Sequence, residues 1–414
     1  MTPPIPLKTN KTFPDMNKYT VIASLLVPAA ILSAGSLRAQ TTESIDSVLA
    51  FVERNNIQLQ ALQQSNEASR LEIQAQNNLQ QDLSVSYSPF FTRGYDGVAN
   101  SELVVSMGFD FPSQYVSRSK SGKLQNEALD MQYALQRRDI LLQAKLLCLD
   151  LIRLNQEKEL LDTRLANADE LLTLMEKRFS EGGANIIEVN KVKMERMNVR
   201  TLVAQNEASR QNTLQSLRAF NGNIPLELTA TDYPAAQDII SYDEFYGEIM
   251  STDAAILSAE ASVDAAAQEI KVNKQNWLPK FEVGYRRNTS MNEAANGFLV
   301  GASIPLFSSR NKTKIAEARH TAAQSELENA RMQAETQLMS KYNEIQQIRS
   351  AVEAYDVPLM HSTLDALKTA VLEGQLSIID YYVEADNVYN NLSAYLTLEN
   401  QYRRLLSELY QNRL

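Results

Sequence analysis

The chain has little of what catalytic and metal sites are usually built from. Its 414 residues include one cysteine and two histidines. Cys148 cannot form a disulfide within the chain, and its leucine-rich surroundings are typical of a small core residue. His320 and His361 lie in helical sequence and match no metal-ligand spacing with that cysteine. No glycine-rich phosphate loop, HExxH or GxSxG motif is present, so the sequence predicts no enzyme, no metal and no cofactor.

Basic residues are also in the minority. The chain has 40 lysines and arginines against 50 aspartates and glutamates, which gives a formal charge of −10 at pH 7. Nucleic-acid-binding proteins carry an excess of positive charge, so this balance argues against a nucleic-acid partner. Hydrophobic residues make up 44% of the chain, which is enough to bury a core.

The first residues have the pattern of a secretory signal peptide, predicted at 1–39. Lys18 supplies a basic start, residues 21–34 form an apolar stretch, and Ala39 ends a suitable cleavage site. A membrane anchor is the alternative, but the apolar stretch is shorter than the roughly 20 residues that span a bilayer.

The chain repeats itself at long range. Phe179–Glu188 recurs as Val371–Asp380, 192 residues further on, and Ser117–Lys120 recurs as Ser309–Lys312 at the same offset. This period is far longer than the roughly 20–50 residues of solenoid repeats, so it predicts two copies of one large unit. The predicted organisation has three parts: a first repeat over 40–220, a linker over 221–249 and a second repeat over 250–414.

Long stretches rich in alanine, leucine, glutamine and glutamate, with hardly any glycine or proline, predict helices. The predicted helices are 44–80, 113–181, 184–220, 250–276, 309–372 and 376–412. At about 1.5 Å per residue the second would be roughly 100 Å long. Pro358 is expected to kink the fifth. Apolar positions spread over several faces, which indicates helices packed on both sides, in a bundle or a closed ring.

Four segments between the helices alternate with a period of two residues, which predicts strands. They are 83–91, 102–112, 279–288 and 297–307. In Leu103–Phe111, for example, leucine, valine, methionine and phenylalanine side chains face one side, and Ser106, Gly108 and Asp110 face the other. This length and alternation suit membrane-spanning strands. A half-buried sheet in a soluble α+β protein has the same alternation, so both interpretations stay open at this point.

Spanning strands would require several chains. A sheet in lipid must close, because an open edge leaves backbone groups unpaired, and outer-membrane barrels have at least about eight strands. One chain offers four strands. Two chains would form a narrow eight-stranded barrel filled by side chains, and three would form an open twelve-stranded one continued by a ring of helices.

The chain resembles the TolC-type outer-membrane efflux proteins over roughly 44–412. The resemblance rests on the duplicated helix–hairpin–helix plan and on Gln275–Phe281, which enters a strand. It also rests on Ile304–Phe307, which leaves one, and on the two Glu-Gly turns that precede Ile-Ile and an acidic residue.

The resemblance implies a mainly α fold with a transmembrane β-barrel portion, formed as a homotrimer. The twelve-stranded barrel would lie in the lipid of the outer membrane of a Gram-negative bacterium, and a long helical barrel would cross the periplasm. Linker residues 221–249 would form an equatorial segment around that helical barrel. The implied partners are a periplasmic adaptor (membrane fusion) protein and an inner-membrane transporter of the RND or ABC type.

The resemblance also implies roles for residues near the two turns. Adaptor docking is implied at the helix tips, at Glu181, Gly182, Gly183, Glu373 and Gly374. Acidic positions at the periplasmic entrance are implied at Asp380, at its first-repeat counterpart Glu188 and at Glu384. Asp380 matches the family's first acidic ring; the second ring position is Val383, with Glu384 next to it. The alternative for Asp380 is an ordinary carboxylate at a helix N-terminus.

The family's entrance latch does not carry over. Its tyrosine and arginine correspond to Val371 and Leu376 here, so closure must depend on other contacts. The function that follows is the exit duct of a tripartite efflux pump, a passive channel that opens at its helix tips. A channel for type I protein secretion is an alternative, and a periplasmic coiled-coil adaptor or scaffold is a further one.

Overall fold

The structure is a computed structural model. It describes residues 40–42, 44–77, 83–94, 96–235, 239, 241–290, 293–305 and 311–414. The predicted signal peptide at 1–39 lies outside the described residues, as do the last positions predicted for the first helix and the fourth strand.

The first half begins with strand β1 (Gln40–Thr42) and helices α1 (Ile45–Asn55) and α2 (Ile57–Asn77). The prediction of one helix over 44–80 is wrong at Asn56, which has an extended backbone. The buried Asn56 side chain accepts a hydrogen bond from the Leu59 N–H and donates one to the Phe220 carbonyl, both at 2.9 Å. Asparagine competes with helical backbone bonding in this way, and here it starts a new helix.

A hairpin then leads into the two longest helices of this half. Strands β2 (Leu83–Phe90) and β3 (Asn100–Phe109) are followed by α3 (Pro112–Ser180) and α4 (Ile186–Phe220). The 69 residues of α3 span about 100 Å. The strand predicted to reach residue 112 ends earlier because Pro112 occupies the first turn of α3, where its missing N–H is harmless.

The second half follows a similar order. Its elements are β4 (Leu226–Leu228), α5 (Tyr242–Thr252), α6 (Ala254–Lys274), β5 (Lys280–Ser290), β6 (Glu293–Ser303), α7 (Lys312–Glu353), α8 (Val357–Leu372) and α9 (Ile378–Leu409). The helix predicted at 250–276 is divided at Asp253, whose carboxylate accepts the N–H groups of Ala255 and Ile256 at 2.9 and 3.2 Å.

The single kinked helix predicted over 309–372 is also wrong. The chain leaves α7 after Glu353, and the Asp356 carboxylate accepts the Leu359 N–H at 2.9 Å. Pro358 lies in the first turn of α8. Proline therefore begins a helix here rather than bending one, because the first turn requires no N–H donor from it.

Four strands form one antiparallel sheet in the order β2-β3-β5-β6, while β1 and β4 form a separate parallel pair. Val85, Val105, Tyr285 and Phe298 stand in one row across the sheet. The apolar face is open: Val85 is 62% exposed and Phe298 is 93% exposed. Neither β2 nor β6 pairs on its outer side with another described strand.

Buried apolar side chains form clusters along the helices. One joins α1, α3 and β4, and another joins α5, α7 and the end of α9. A third lies near the ends of α3, α4, α8 and α9 and is called the tip cluster below. Among the described residues, no helix is both long and apolar enough to cross a membrane.

Candidate functional site at the helix tips

Two glycine turns connect the helices at the tips. Gly182 follows α3 with φ +80°, and Gly374 follows α8 with φ +76°. In each turn an N–H after the glycine donates back to the preceding helix, from Gly183 to the Arg178 carbonyl at 2.7 Å and from Gln375 to the Ala370 carbonyl at 2.8 Å. Glycine is favoured at this left-handed position because it has no Cβ, so both turns require the residue they have.

The helices that leave the turns are capped differently. Asn185 accepts the N–H groups of Ile187 and Glu188, and the Glu188 carboxylate accepts the Asn185 N–H at 2.7 Å, which completes a capping box. At the second tip the Ser377 hydroxyl accepts the Asp380 N–H at 3.1 Å and donates to the Asp380 carboxylate at 2.7 Å. The Glu188 carboxylate is thus occupied by the backbone of its own helix.

The other predicted acidic residues lie at the surface of the tips. Asp380 and Glu384 are exposed, and their i,i+4 spacing places them on one face of α9. Glu384 and Glu181 form no hydrogen bond or ion pair through their side chains with the described residues. The Glu373 carboxylate accepts a bond from the Gln375 side chain at 2.7 Å. The structure therefore groups Asp380 with Glu384 and leaves Glu188 in its cap.

A contact between the two tips was not foreseen from the sequence. The Arg178 guanidinium, in the last turn of α3, donates to the carbonyls of Val371 and Leu372 at 3.4 and 3.1 Å. These carbonyls belong to the C-terminal end of α8, which carries partial negative charge. Arg178 therefore joins the end of the long helix α3 to the end of the shorter helix α8.

The tip cluster fills the space between the helices behind the turns. Its buried members are Leu171, Met175, Val189, Val192, Leu364, Val371, Ile378, Tyr381, Tyr382, Ala385, Tyr389 and Leu392. Val371 is fully buried there, and Leu376 packs against the cluster. Both positions that correspond to the family's latch are thus apolar packing residues. Burial also raises the pKa of the Tyr381 and Tyr382 hydroxyls, so both rings stay neutral.

A buried charge triad lies within this cluster. The Arg164 guanidinium on α3 donates through Nε and Nη2 to Glu195 on α4, at 2.9 and 2.5 Å, and through Nη2 to Asp386 on α9, at 2.5 Å. It also lies over the Tyr389 ring, 4.6 Å from the centroid. The Arg164 and Glu195 side chains are only 10% and 6% exposed, whereas that of Asp386 is 38% exposed.

Sequence reasoning missed the triad because its members lie far apart along the chain. A signal was present, since Arg164 interrupts a stripe of buried apolar residues at helical spacing, Leu161, Ala168, Leu171 and Met175. Glu195 similarly lies between Val192 and Val199. A charged residue on a buried helical face needs a partner of opposite charge. A buried arginine and a buried glutamate in neighbouring helices are therefore expected to form an ion pair.

Solved structures with the same fold include a membrane protein and an outer membrane channel. A membrane protein from Pseudomonas aeruginosa superposes with a TM-score of 0.73 at 15% identity, over 90% of this chain and 91% of that one. The CmeC outer membrane channel of Campylobacter jejuni gives a TM-score of 0.69 at 12% identity, over 98% and 93%. The chain therefore shares the fold of these membrane proteins.

Sequence comparison gives a family match over part of the chain. Residues 245–412 match the family described as Outer membrane efflux protein. The outer membrane protein TolC of Vibrio cholerae serotype O1 is 22% identical over 312 residues, which cover 69% of this chain and 71% of that protein. The resemblance to TolC-type outer-membrane efflux proteins is confirmed, and residues 245–412 carry the match to the family.

Proposed function

We propose that this protein is the passive exit duct of a tripartite efflux pump in the outer membrane of a Gram-negative bacterium. Three chains form the duct, and each contributes four strands to a twelve-stranded barrel. The helices extend into the periplasm, where their tips meet an adaptor that is joined to an RND or ABC transporter. The observation that carries this proposal is a four-stranded sheet with an exposed apolar face and two edges that no other described strand pairs with.

The free edges argue for association of copies. An edge strand in lipid leaves N–H and C=O groups without partners, at a cost of several kcal/mol for each. Strands β2 and β6 form the two edges, and β6 has 11 residues, the length that suits a spanning strand. Pairing β6 of one copy with β2 of the next would give the backbone groups of both edge strands hydrogen-bond partners, and no additional strand is needed. Three copies leave an open lumen, whereas two would leave a barrel filled by side chains.

The tips suit the entrance of such a duct. Asp380 and Glu384 present two carboxylates on one exposed face of α9, and we assign them to the entrance. Glu188 is assigned to the capping of α4 instead, because its carboxylate is held by the Asn185 N–H. The exposed turns that contain Glu181, Gly182, Gly183, Glu373 and Gly374 are the surface assigned to the adaptor.

Disulfide trapping tests the shared barrel. Val85 and Phe298 lie on opposite edges of one sheet, three strand spacings or about 14 Å apart within a chain. A disulfide requires Cα atoms within about 7 Å, so these positions can be bridged only between copies. We expect Val85→Cys combined with Phe298→Cys, Val300→Cys or Ala302→Cys to give covalent trimers on oxidation in membranes. The three partner positions allow for the register between copies.

The control pair is Val105→Cys with Tyr285→Cys, which are directly opposed on neighbouring strands of one chain. This pair should oxidise without increasing the mass of the polypeptide. Absence of intermolecular bonds from every edge pair, with the control pair oxidised, would refute the shared barrel. Covalent species that stop at dimers would refute the trimer.

A further inference from the structure

The buried charge triad has two carboxylates on one guanidinium. Glu195 receives both Nε and Nη2 of Arg164, and Asp386 receives a single bond from Nη2. Arg164 and Glu195 belong to the α3–α4 pair, whereas Asp386 belongs to α9. Buried ion triads contribute little net stability, because the cost of desolvating the charges offsets their attraction.

The two bonds to Arg164 differ in how easily they can be broken. If α9 moves away, Arg164 keeps Glu195, whose Oε1 accepts both of its bonds, so no uncompensated charge remains in the interior. Asp386 is already 38% exposed and would pass into water. Removing Glu195 from the triad would instead leave a buried arginine with one half-exposed partner. The bond to Asp386 is therefore the one that can open and close.

We propose that Arg164, Glu195 and Asp386 form a proton-linked clamp, in which Asp386 is the arm that releases α9 from α3 and α4 when the tip opens. The clamp rests on the proposed function, since it assumes that the tip opens. It also supplies the closing contact at a tip where the family's latch positions are apolar.

The charges around Asp386 set the direction of the proton linkage. Arg164 faces it from α3, and Glu195 and Lys191 face it from α4. On α9 itself Tyr381 interacts with it, and Tyr389 lies against Arg164. Lys368 of α8 lies further out, bound to Asn167 and Glu170. Burial raises the pKa of Asp386, the repulsion from Glu195 raises it further, and Arg164 and Lys191 do not reverse the shift.

The released carboxyl, in water, would return to its ordinary pKa. The clamped state therefore binds a proton more tightly than the released state, and acidification favours the clamped state. A neutral carboxyl can still accept the Arg164 bond through its carbonyl oxygen. The response falls between the ordinary pKa of aspartate and the raised value, and one proton changes the ratio of clamped to released chains by at most about tenfold per pH unit.

Spin-label distances in the full-length protein test the clamp. Labels are placed at Thr173→Cys on α3 and Asn387→Cys on α9, both exposed, in a Cys148→Ala background with labelled chains diluted into unlabelled ones. As the pH falls from about 7.5 to about 4.5, we expect the shorter-distance population to grow in the parent protein. Asp386→Asn, which mimics the protonated side chain, should keep that population high at every pH.

The matched control is Asp365→Asn, which removes one exposed carboxylate of α8 that has no ion pair with the described residues. It should leave the pH response intact, and Asp386→Glu should retain a response. Distances that do not change with pH in the parent, or that change equally in Asp386→Asn, would overturn the clamp. This measurement needs neither conduction nor a trimer, so failure of the clamp and failure of the duct are separate results.

Discussion

Replacing Glu195 with leucine is expected to destabilise the tip far more than removing an ordinary surface carboxylate. The Glu195 side chain is 6% exposed and accepts two bonds from Arg164, whose own side chain is 10% exposed. Glu195→Leu leaves the guanidinium buried with Asp386 as its remaining carboxylate. Breaking a buried ion pair by removing one partner costs about 3–5 kcal/mol. The retained bond to Asp386 places the expected loss toward the lower end of that range.

A double variant tests whether the loss of stability comes from leaving one buried charge without its partner. Arg164→Met alone strands Glu195, whereas Arg164→Met with Glu195→Leu removes both buried charges and replaces them with apolar groups of similar volume. Such replacements are often neutral or stabilising. We therefore expect the double variant to be more stable than either single one, so the two substitutions should be strongly non-additive.

The assay is the denaturant midpoint of helical circular dichroism in detergent, compared at unchanged slope. Asp162→Leu is the reference, because Asp162 forms an i,i+4 pair with Lys158 in which both side chains are about half exposed, at 48% and 45%. An exposed pair of this kind contributes roughly 0–1 kcal/mol. A loss in Glu195→Leu no larger than in Asp162→Leu, or an additive double variant, would refute the reasoning.

Four further changes give outcomes of different kinds. Gly374→Ala should lower tip stability by about 1–2 kcal/mol, because an alanine is strained at a φ of +76°. The added Cβ would meet no atom within 4 Å, so the loss reports backbone strain alone. Gly284→Ala should instead abolish detergent-resistant trimers, because a Cβ there would lie 2.5 Å from a neighbouring backbone oxygen; normal trimer yield would contradict this. Arg178→Ala should speed proteolysis of the second tip, with Lys177→Ala as control, and equal rates would exclude the inter-tip bond. Asp380→Asn together with Glu384→Gln should weaken divalent-cation block of single channels, whereas unchanged block would remove both from the entrance.

The sequence could predict those features of the fold that depend on residues close together along the chain. Uninterrupted runs of helix-forming residues located α3 and α4 to within a few residues. The interruptions at Asn56, Asp253 and Asp356 were missed, although all three are short side chains that accept backbone N–H groups. Inside a helical pattern such residues look like exposed polar positions, and only the tertiary partner, such as the Phe220 carbonyl for Asn56, makes the helix end there.

The candidate site divides in the same way. The glycine turns were predictable because a glycine between two helical patterns is the residue favoured at a helix C-terminus. The Arg178 bond and the charge triad join residues that are roughly 190 and 220 positions apart, and no local pattern encodes such pairs. The sequence did place Arg164 and Glu195 on helical faces that are otherwise apolar. This pattern indicates that each needs a partner of opposite charge, but it does not identify the partner.

The two tips differ by one methylene in a way that affects their chemistry. Glu188 and Asp380 occupy the same position, the third residue of the helix after each turn. The longer glutamate reaches back to the N–H of its capping residue, so its carboxylate is committed to the backbone. Asp380 accepts only the hydroxyl of Ser377, a rotatable group, and its other oxygen has no side-chain or backbone partner among the described residues. The repeat that makes the tips alike therefore leaves one of them with a carboxylate free to meet a passing cation. We therefore expect the selective entrance to lie on α9 rather than on α4.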